Sequence, residues 1–458
     1  MNSTKRTVSF IDLIRNSIIS RIFMMGFLIL ALLIPASMIS SLIDEREGRR
    51  NHVIREINSR WALGQTIAGP MLEIPYKVYH ETKQFENGNV KKTLTSEIRT
   101  AYFLPDRLDV TGEIYPETRY RGIYKSIVYT AGLQIKGEFL FPDFERWKIP
   151  DENIIWDDAT FSFGITDMRG INKDIEVQWN DTHLTPKPGI KDKAIFSRGI
   201  STNVTMDKDK KEKNRFSMKL DIRGSKTIDV LPLGRKTNVQ LSSTWTTPSF
   251  NGAFLPKKRI IDDKGFQAEW VVFDFNREFP QQWKEYKNWN IPQSKFGLEL
   301  YVPVDEYQKT TRSIKYAILF IALTFLAFFL FIEMLNKKRI HPIQYLLVGF
   351  ALCIFYLLLL SLSEHLGFDL AYLISSLSII GLTTVYTRSI CQTLSLTALM
   401  GSIFTGLYGF LYVILRLEDY SLLMGSVGLF GILAAVMLIT RKIDWYPAVS
   451  GPESSARR

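Results

Sequence analysis

The stretch that decides the fold is IFMMGFLILALLIPASMISSLI at residues 22–43, in which every side chain is uncharged. Five more apolar stretches follow a long polar region, at residues 316–332, 342–363, 370–387, 389–415 and 420–440. A helix of roughly 20 apolar residues crosses the hydrocarbon core of a bilayer, and only helices and closed barrels satisfy their backbone groups in lipid. These runs are too long and continuous for barrel strands. The sequence therefore predicts six transmembrane helices.

Charge predicts the orientation, because Lys and Arg collect in the short loops on the cytoplasmic side. With the N-terminus inside, twelve basic residues lie on the inner side: Lys5, Arg6, Arg15, Arg21, Lys337, Lys338, Arg339, Arg388, Arg441, Lys442, Arg457 and Arg458. The short outer loops hold one base and four acids: Arg416, Glu364, Asp369, Glu418 and Asp419. The predicted parts are a cytoplasmic segment at 1–21, the first span at 22–43, an outer domain at 44–315, a five-helix bundle at 316–440 and a cytoplasmic tail at 441–458.

Two alternatives concern the N-terminal region. A basic leader fits a cleaved signal peptide, but Ala36-Ser37-Met38 is a poor match to a small-residue cleavage site, and the apolar core of a signal is normally about 7–15 residues. An uncleaved anchor is therefore favoured. Residues 8–19 mix apolar side chains with Asp12 and Arg15. This pattern is typical of an amphipathic helix on the inner membrane surface, and a cytoplasmic extension of the first span fits equally well.

Composition excludes two classes of protein. The formal net charge of +11 is spread along the chain, and the dense cluster DKDKKEKNR at 207–215 alternates in sign without aromatic residues. Such a cluster is typical of a solvated loop, so nucleic acid is not an expected partner. The two cysteines, Cys353 and Cys391, both lie in predicted spans. An outer domain of this size can bury enough core to fold without disulfides, which argues against small disulfide-stapled modules.

The outer domain has the pattern of β-structure. Apolar residues alternate with polar ones over 216–222 and again from Leu133 to Phe141, with Gly137 keeping the register. Asn87-Gly88 and Gly224-Ser225 each separate two such runs and predict two-residue hairpins. No amphipathic helix longer than three turns is expected. The sequence predicts an α+β membrane protein whose outer domain is a β-rich, antiparallel sandwich; a mixed α+β domain is the alternative.

A search for chemistry finds no catalytic constellation. The five histidines are scattered without metal-ligand spacing, and no nucleophile or zinc motif is present. GQTIAG at 64–69 has the glycine spacing of a phosphate loop, but Pro70 replaces the lysine, so a turn before the strand at 71–78 is expected instead. Glu364 and His365 predict an interfacial polar cap rather than a buried acid–base pair, and Glu333 a snorkelling or paired group near the inner surface. The protein is predicted not to be an enzyme and to bind no cofactor or metal.

The span centres lack Asp, Glu, Lys and Arg, which weakens a transporter interpretation because ion and proton relays need such residues. Small residues instead recur at helical spacing in the last two spans: Ser402, Gly406, Gly425, Gly428, Gly431 and Ala435. Small residues let helix backbones approach closely. They predict a helix-packing face, either inside the bundle or, in the sharper alternative, between two copies of the chain.

Over nearly its whole length the chain resembles the inner-membrane protein CreD family, also called the cell envelope integrity family. The segments that carry the resemblance are GPMLEIP at 69–75, RGIY at 121–124, DMRG at 167–170, TPSFNGAFLP at 247–256, GFQAEW at 265–270, KYAILFIALT at 315–324, HPIQYLLVG at 341–349, LSLSEH at 360–365 and IDWY at 443–446. The resemblance implies a multi-pass protein of the bacterial inner membrane with a periplasmic domain. It also implies control by a Cre-type two-component system and links to colicin tolerance and the response to β-lactams.

These observations predict a non-enzymatic protein that supports envelope integrity, with the lipid bilayer and an unidentified envelope protein or cell-wall component as partners. A homo-oligomer is left open. The alternative is a lipid or small-molecule transporter or sensor that uses the six-helix bundle. A polar cavity between the helices would favour the alternative, whereas an exposed apolar patch or open strand edge on the domain would favour binding.

Overall fold

The structure is a computed structural model that describes residues 18–86, 89–191, 196–208, 211–284, 289–302, 306–417 and 420–441. The predicted surface segment before residue 18 and the tail from residue 442 lie outside these ranges. By its internal contacts the chain separates into two compact units, Met1–Gly48 with Val304–Arg458 (the membrane unit) and Arg49–Pro303 (the β unit). The predicted limits of the outer domain, 44 and 315, stay predictions.

Seven α-helices are described, one of them continued by a π-helical segment. They are α1 (Ile18–Trp61), α2 (Glu306–Lys315), α3 (Ala317–Ala327) with the π-helical segment Phe328–Met334, α4 (Pro342–Leu366), α5 (Phe368–Cys391), α6 (Leu394–Arg416) and α7 (Ser421–Thr440). All but α2 belong to helices that are long and apolar enough to cross a membrane, and there are six such helices in the described ranges. The six predicted spans are thereby confirmed as apolar helices.

Helix α1 is much longer than its span, with 44 residues against the roughly 20 that a bilayer needs. The prediction that the outer domain contains no amphipathic helix longer than three turns is therefore wrong. Residues 44–61 are mostly charged, but Ile54 and Asn58 are buried and Trp61 is partly buried. These positions are three to four residues apart and form one helical face. Because the polar Asn58 lies in the middle of that face, the apolar residues alone do not show a helical periodicity.

Helix α2 belongs to the membrane unit although it is polar. Its Arg312 donates hydrogen bonds to the carbonyl oxygens of Ile414 and Leu417 at the end of α6, at 3.4 and 3.2 Å. The Lys309 ammonium lies 5.2 Å from the ring centroid of Phe368 at the start of α5. A basic side chain at a helix C-terminus satisfies carbonyl groups that have no partner within the helix, so α2 closes this end of the bundle.

The β unit contains seventeen strands in the described ranges. They are β1 (Gln65–Glu86), β2 (Asn89–Phe103), β3 (Arg107–Arg121), β4 (Tyr124–Phe139), β5 (Thr160–Ile165), β6 (Val177–Trp179), β7 (Thr182–Leu184), β8 (Lys187–Pro188), β9 (Gly199–Asn203), β10 (Asn214–Ser225), β11 (Thr227–Val230), β12 (Lys236–Ser243), β13 (Pro248–Gly252), β14 (Lys258–Asp262), β15 (Gly265–Phe273), β16 (Gln282–Lys284) and β17 (Phe296–Leu300). Short 3-10 turns lie at Glu145–Trp147, Asp151–Asn153, Trp156–Asp158, Met168–Gly170, Asp274–Asn276 and Ile291–Ser294.

The strands form two sheets. The nine-stranded sheet has the order β13-β17-β11-β1-β5-β9-β8, with β2 on the far part of β1 and β16 on β2. The eight-stranded sheet has the order β14-β15-β12-β3-β4-β10-β6-β7. The β-rich, sandwich-like fold is confirmed. It is not purely antiparallel, however, because β1 pairs with β11 and β3 with β12 in parallel.

One continuous apolar core joins the inner faces of the two sheets. Phe161 on β5 lies 6.0 Å from Trp179 on β6 and 5.7 Å from Phe216 on β10, measured between ring centroids. Phe296 on β17 lies 5.8 Å from Trp270 on β15. Each of these contacts joins a residue of one sheet to a residue of the other. The alternation predicted over 216–222 is confirmed, since Phe216 and each second residue after it are buried.

The two predicted hairpins have different outcomes. Strands β1 and β2 pair with Glu86 opposite Asn89, which confirms the first; its turn at 87–88 lies outside the described residues. The second is wrong. Strand β10 pairs with β4 and β6, while β11 pairs with β1 and β17 in the other sheet. Lys226 between them adopts a left-handed backbone with φ of 60°, and the chain crosses there from one sheet to the other.

The glycine-spaced segment at 64–69 is mostly strand rather than the expected turn. Strand β1 begins at Gln65, and its register against β5 shifts between Ala68 and Met71. Gly69 has a φ of 137°, which favours glycine, and a Cβ there would lie 3.0 Å from the ring of Phe163. The glycine thus serves a bulge and a close contact with β5.

Candidate functional site

The end of α1 is held by an acid–base pair that follows β5. Asp167 is buried, and its carboxylate accepts hydrogen bonds from the Leu63 amide at 3.0 Å and from the Arg169 guanidinium at 2.7 and 2.9 Å. Arg169 also donates to the Ser59 carbonyl in the last turn of α1, at 2.6 Å. The Arg169 guanidinium holds the pKa of the Asp167 carboxyl at about 2, below its usual 3.8, although burial acts in the opposite direction. The pair therefore fastens the helix end to the β unit.

A buried glutamine ties the same point to both sheets. The Gln65 side chain at the start of β1 donates to the carbonyl oxygens of Asp167 and Arg223, at 3.1 and 2.9 Å, and accepts from the Asp167 amide at 3.2 Å. Arg223 belongs to β10 in the eight-stranded sheet. A Cβ on Gly170 would collide with the Gln65 amide and with the Arg223 carbonyl, so the DMRG segment has a packing reason for its glycine.

Side chains at the tip of the β3–β4 hairpin also contact the end of α1. The guanidinium groups of Arg119 and Arg223 lie 4.6 and 5.1 Å from the centroid of the Trp61 ring. Arg121 forms an ion pair with Glu56, one helical turn before Trp61. Cation–π contacts of this kind are worth roughly 0.5–1 kcal/mol at exposed sites. The RGIY segment thus contributes to the attachment of the helix.

The chain leaves the β unit through a second hydrogen-bonded attachment. The indole of Trp245 donates to the carbonyl oxygens of Tyr301 and Thr247, at 3.0 and 3.2 Å, and the Thr247 hydroxyl donates to the same Tyr301 carbonyl at 2.8 Å. Tyr301 directly follows β17. Thr247 opens the TPSFNGAFLP segment, so a second segment of the family resemblance holds the other connection of the β unit.

The two connections lie close together in the nine-stranded sheet. Gln65 on β1 pairs with Ile228 on β11, and Ile228 pairs with Leu298 on β17. Adjacent strands are about 4.8 Å apart, so β1 and β17, the first and last strands of the unit, lie about 10 Å apart. We name this region, with the Asp167–Arg169 pair and the Trp245–Thr247 contacts, the stalk site.

One edge of the eight-stranded sheet is open and partly apolar. Every residue of β14 is exposed, and β14 is the terminal strand on its side of the sheet in the described ranges. Ile260 is 63% exposed, and Leu255 just before the strand is 70% exposed. A groove of about 410 Å³ runs beside it, lined by polar and apolar groups that include Lys258, Ile260 and Gln267. We name β14, Leu255 and this groove the β14 edge.

In the membrane unit, Glu333 is a paired group, as predicted, and its partners are on other helices. Its carboxylate, 2% exposed, accepts from Arg21 of α1 at 3.0 Å and from the Tyr345 hydroxyl of α4 at 3.1 Å. Glu333 lies in the π-helical segment, whose wider turn shifts side-chain directions relative to an α-helix. A buried carboxylate is tolerated when it is paired and hydrogen-bonded, and this pair links the first span to the bundle.

A second polar group lies at the other end of the bundle. Glu364 accepts from the Tyr307 hydroxyl of α2 at 2.8 Å, and Arg46 of α1 lies 3.8 Å from its other oxygen. His365 is exposed. The arrangement is a polar cap rather than a buried acid–base pair, as the sequence predicted.

The predicted packing residues have different surroundings. Gly406, Gly428 and Ala435 line one apolar cavity, and a Cβ on Gly428 would collide with the ring of Phe410. The other three are Ser402, which is exposed, and Gly425 and Gly431, where a Cβ would meet no atom within 4 Å. The packing role of the set stays a prediction.

Sequence reasoning missed Gly349 on α4. A Cβ there would collide with the side chain of Leu32 on α1, and Leu32 is 1% exposed. The Cys353 thiol one turn later faces the Leu32 carbonyl at 3.9 Å. The spacing of Gly349 and Cys353, two small residues four positions apart, is the signal that would have found this contact.

The described residues contain no group of three or more His, Cys, Asp or Glu side chains that could hold a metal ion. The attachments of the stalk site join backbone and side chains of the chain itself. Asp167, Arg169, Trp245 and Thr247 all take part in these internal hydrogen bonds.

Comparison with known proteins confirms the resemblance. The model of the family described as inner membrane protein CreD matches residues 17–446. The chain is 35% identical to the inner membrane protein CreD of Escherichia coli (strain K12) over 439 residues, which cover 94% of each chain. With its six apolar helices the protein is a multi-pass inner-membrane protein of the cell envelope. The chain belongs to the CreD family of inner membrane proteins.

Proposed function

We propose that the protein supports envelope integrity without catalysis, by binding another envelope component through its β unit in the periplasm. The observation that carries the proposal is the β14 edge, where Ile260 and Leu255 are exposed next to a strand with an open side. An open strand can add an extended segment of a partner through backbone hydrogen bonds. Links to Cre-type control, colicin tolerance and the β-lactam response follow from the family resemblance and are part of this proposal.

The charges of the β14 edge favour a partner with acidic groups. Lys258 and Arg259 are exposed at the start of the strand, and both line the groove together with Ile260. Glu269 on β15, opposite Lys258, is the one acid among the described residues of this lining, so the basic groups outnumber it. Natural proteins commonly place lysine on an edge strand to prevent self-association. A partner segment with apolar and acidic side chains would meet the isoleucine and neutralise these cations.

For polar small molecules, the transporter alternative has less support. A cavity between spans of the described bundle is lined by apolar side chains and glycines, among them Leu330, Gly406 and Ile432. A conduit for polar substrates needs polar groups to replace water around the substrate. The β14 edge is therefore the better-supported site of action.

The test places one photo-crosslinking amino acid at a time in the full chain in living cells. Position 260 on β14 is compared with position 183, because His183 is exposed on β7 at the opposite edge of the same sheet. We expect an adduct of defined mass from position 260 and none from position 183. Equal adducts from both positions, or none from 260, would contradict binding at the β14 edge.

A matched pair of substitutions links binding to function. Ile260→Asp should abolish complementation of a deletion strain under β-lactam or detergent stress, whereas His183→Asp should complement normally. Exposed substitutions of this kind usually change stability by less than about 0.5 kcal/mol, so both proteins should reach normal abundance on blots. Full complementation by Ile260→Asp at normal abundance would overturn the proposal.

A further inference from the structure

A lateral cavity of about 380 Å³ lies between the second, fifth and sixth spans. Its walls are apolar side chains and glycines, with Leu330 and Phe331 on the second span, Gly406 on α6, and Gly428 and Ile439 on α7. The described residues of α7 are partly or fully exposed along the helix. An apolar cavity of this kind beside a membrane span is open to lipid chains.

The dimensions of the cavity fit one acyl chain. Its wall on α7 runs from Gly428 to Ile439, which is about 16 Å at the helical rise per residue. One leaflet of the hydrocarbon core is about 15 Å deep.

The glycines keep the cavity open. At Gly406 a Cβ would meet no heavy atom within 4 Å, so its missing side chain leaves free space rather than a tight helix contact. Gly428 on the opposite wall lets the ring of Phe410 approach α7. A larger residue at position 406 would therefore project into the cavity without colliding with the backbone.

One end of the cavity carries positive charge. Arg441 follows Ile439 by two residues, and Lys337 follows Phe331 by six; both are exposed. The neighbouring Lys338 donates to the carbonyl of Cys391, the last residue of α5, which is three residues before the start of α6. This bond places the basic loop 337–339 at the end of the bundle where α6 begins and α7 ends.

We propose that the cavity binds one acyl chain of a phospholipid whose anionic headgroup lies against Lys337 and Arg441. The apolar wall selects a hydrocarbon chain, and the cations at one end select an acidic headgroup over a zwitterionic one. Basic residues near a membrane surface attract anionic lipid, each by roughly fivefold in affinity. The bound lipid fills the space between α6 and α7 and joins the last span to the bundle. The assignment does not depend on the function proposed for the β14 edge.

The first test uses the full wild-type protein in mild detergent. After delipidation it is titrated with dioleoyl phosphatidylglycerol or dioleoyl phosphatidylcholine, which share the same chains, and bound lipids are counted by native mass spectrometry. We expect one tightly retained phosphatidylglycerol, preferred by at least about fivefold. Equal retention of the two lipids would overturn the proposal. Glycerol phosphate should not compete, since it lacks the chain; competition by it would point to a phosphate site instead.

The second test fills the cavity. Gly406→Leu should reduce retention of both phosphatidylglycerol and phosphatidylcholine, because both place an acyl chain in the cavity. Gly431→Leu should leave retention unchanged, because Gly431 has open space around it and does not line the cavity. The double variant Lys337→Gln/Arg441→Gln should remove the headgroup preference and keep chain binding. Undiminished retention in Gly406→Leu would overturn the assignment, as would a protein dimer that forms without lipid and is broken by that variant. If Gly406→Leu does not fold, the titration of the wild-type protein with the two lipids still tests the proposal.

Discussion

At the scale of single residues, the ionised Asp167 carboxylate is the group on which the attachment of α1 depends. It accepts hydrogen bonds from the Leu63 amide and from the Arg169 guanidinium, and it is 1% exposed. Because the pKa is about 2 in the folded protein and 3.8 for the ordinary group, ionisation of this group stabilises the fold. A depressed carboxyl pKa contributes stability that is present above the unfolded pKa and is lost as pH falls toward the folded one.

We expect Asp167→Asn to lower the free energy of unfolding by about 2 kcal/mol at pH 7, which follows from the size of the pKa shift. The difference from wild type should shrink as pH falls from about 4 to 2. Denaturant unfolding of the full chain in detergent can be followed by tryptophan fluorescence, since eight of the nine tryptophans lie in Arg49–Pro303.

Asp157→Asn provides the control for this experiment, because Asp157 is an exposed aspartate in the same unit. It should change stability little at any pH. A deficit in Asp167→Asn that stays constant down to pH 2.5 would show that the lost stability does not come from ionisation.

At the scale of elements, the contact between α1 and α4 depends on the absence of a side chain at Gly349. Leu32 of α1 occupies the space where a Cβ would be. In the bilayer, where the hydrophobic effect does not drive helices together, close packing of small residues and interhelical hydrogen bonds stabilise such contacts. The Arg21–Glu333 pair links the same first span to the second.

We expect Gly349→Leu to destabilise the membrane unit by about 1–3 kcal/mol, the usual cost of overpacking. Gly425→Leu is the matched control, because the same change there meets no atom within 4 Å. Thermal stability in detergent and abundance on blots measure the effect. Similar losses in both variants would assign the effect to the leucine itself and contradict the contact.

At the scale of the whole molecule, the chain order matches a domain inserted between the first and second spans. The β unit, Arg49–Pro303, lies between the first and second spans in the chain, and its first and last strands, β1 and β17, are two strand spacings or about 10 Å apart in one sheet. Closely spaced chain ends are a common property of inserted domains. The segments of the family resemblance at 167–170 and 247–256 hold these connections.

The orientation of the molecule is testable with reporter fusions. Fusions after residues 200, 366 and 418 should report the periplasm, and those after 338, 388 and 445 the cytoplasm, because the basic residues lie in the latter segments. Each site is fused separately to a reporter active in the periplasm and to one active in the cytoplasm, and the two signals should be opposite at every site. A cytoplasmic signal at residue 200 would reverse the entire topology.

The sequence by itself determined the features that depend on local composition. Six apolar runs predicted six helices, because a span must bury about 20 residues in lipid whatever it packs against. Alternation over 216–222 predicted a strand and its buried face, since successive side chains of a strand point to opposite sides. The position of Glu333 beside the basic loop predicted a snorkelling or paired group, but its partners, Arg21 and Tyr345, lie on other helices.

Tertiary structure alone decided which elements meet. The hairpin expected at Gly224-Ser225 failed because β10 and β11 find their partners in different sheets, which a two-residue spacing does not encode. The helix at 44–61 escaped detection because its buried face includes the polar Asn58, whose Oδ1 accepts from Ser126 at 2.7 Å. The stalk site joins residues more than a hundred positions apart, such as Ser59 and Arg169. Such contacts form only when the two sheets pack on a shared core. Local sequence patterns do not specify which distant residues that packing brings together.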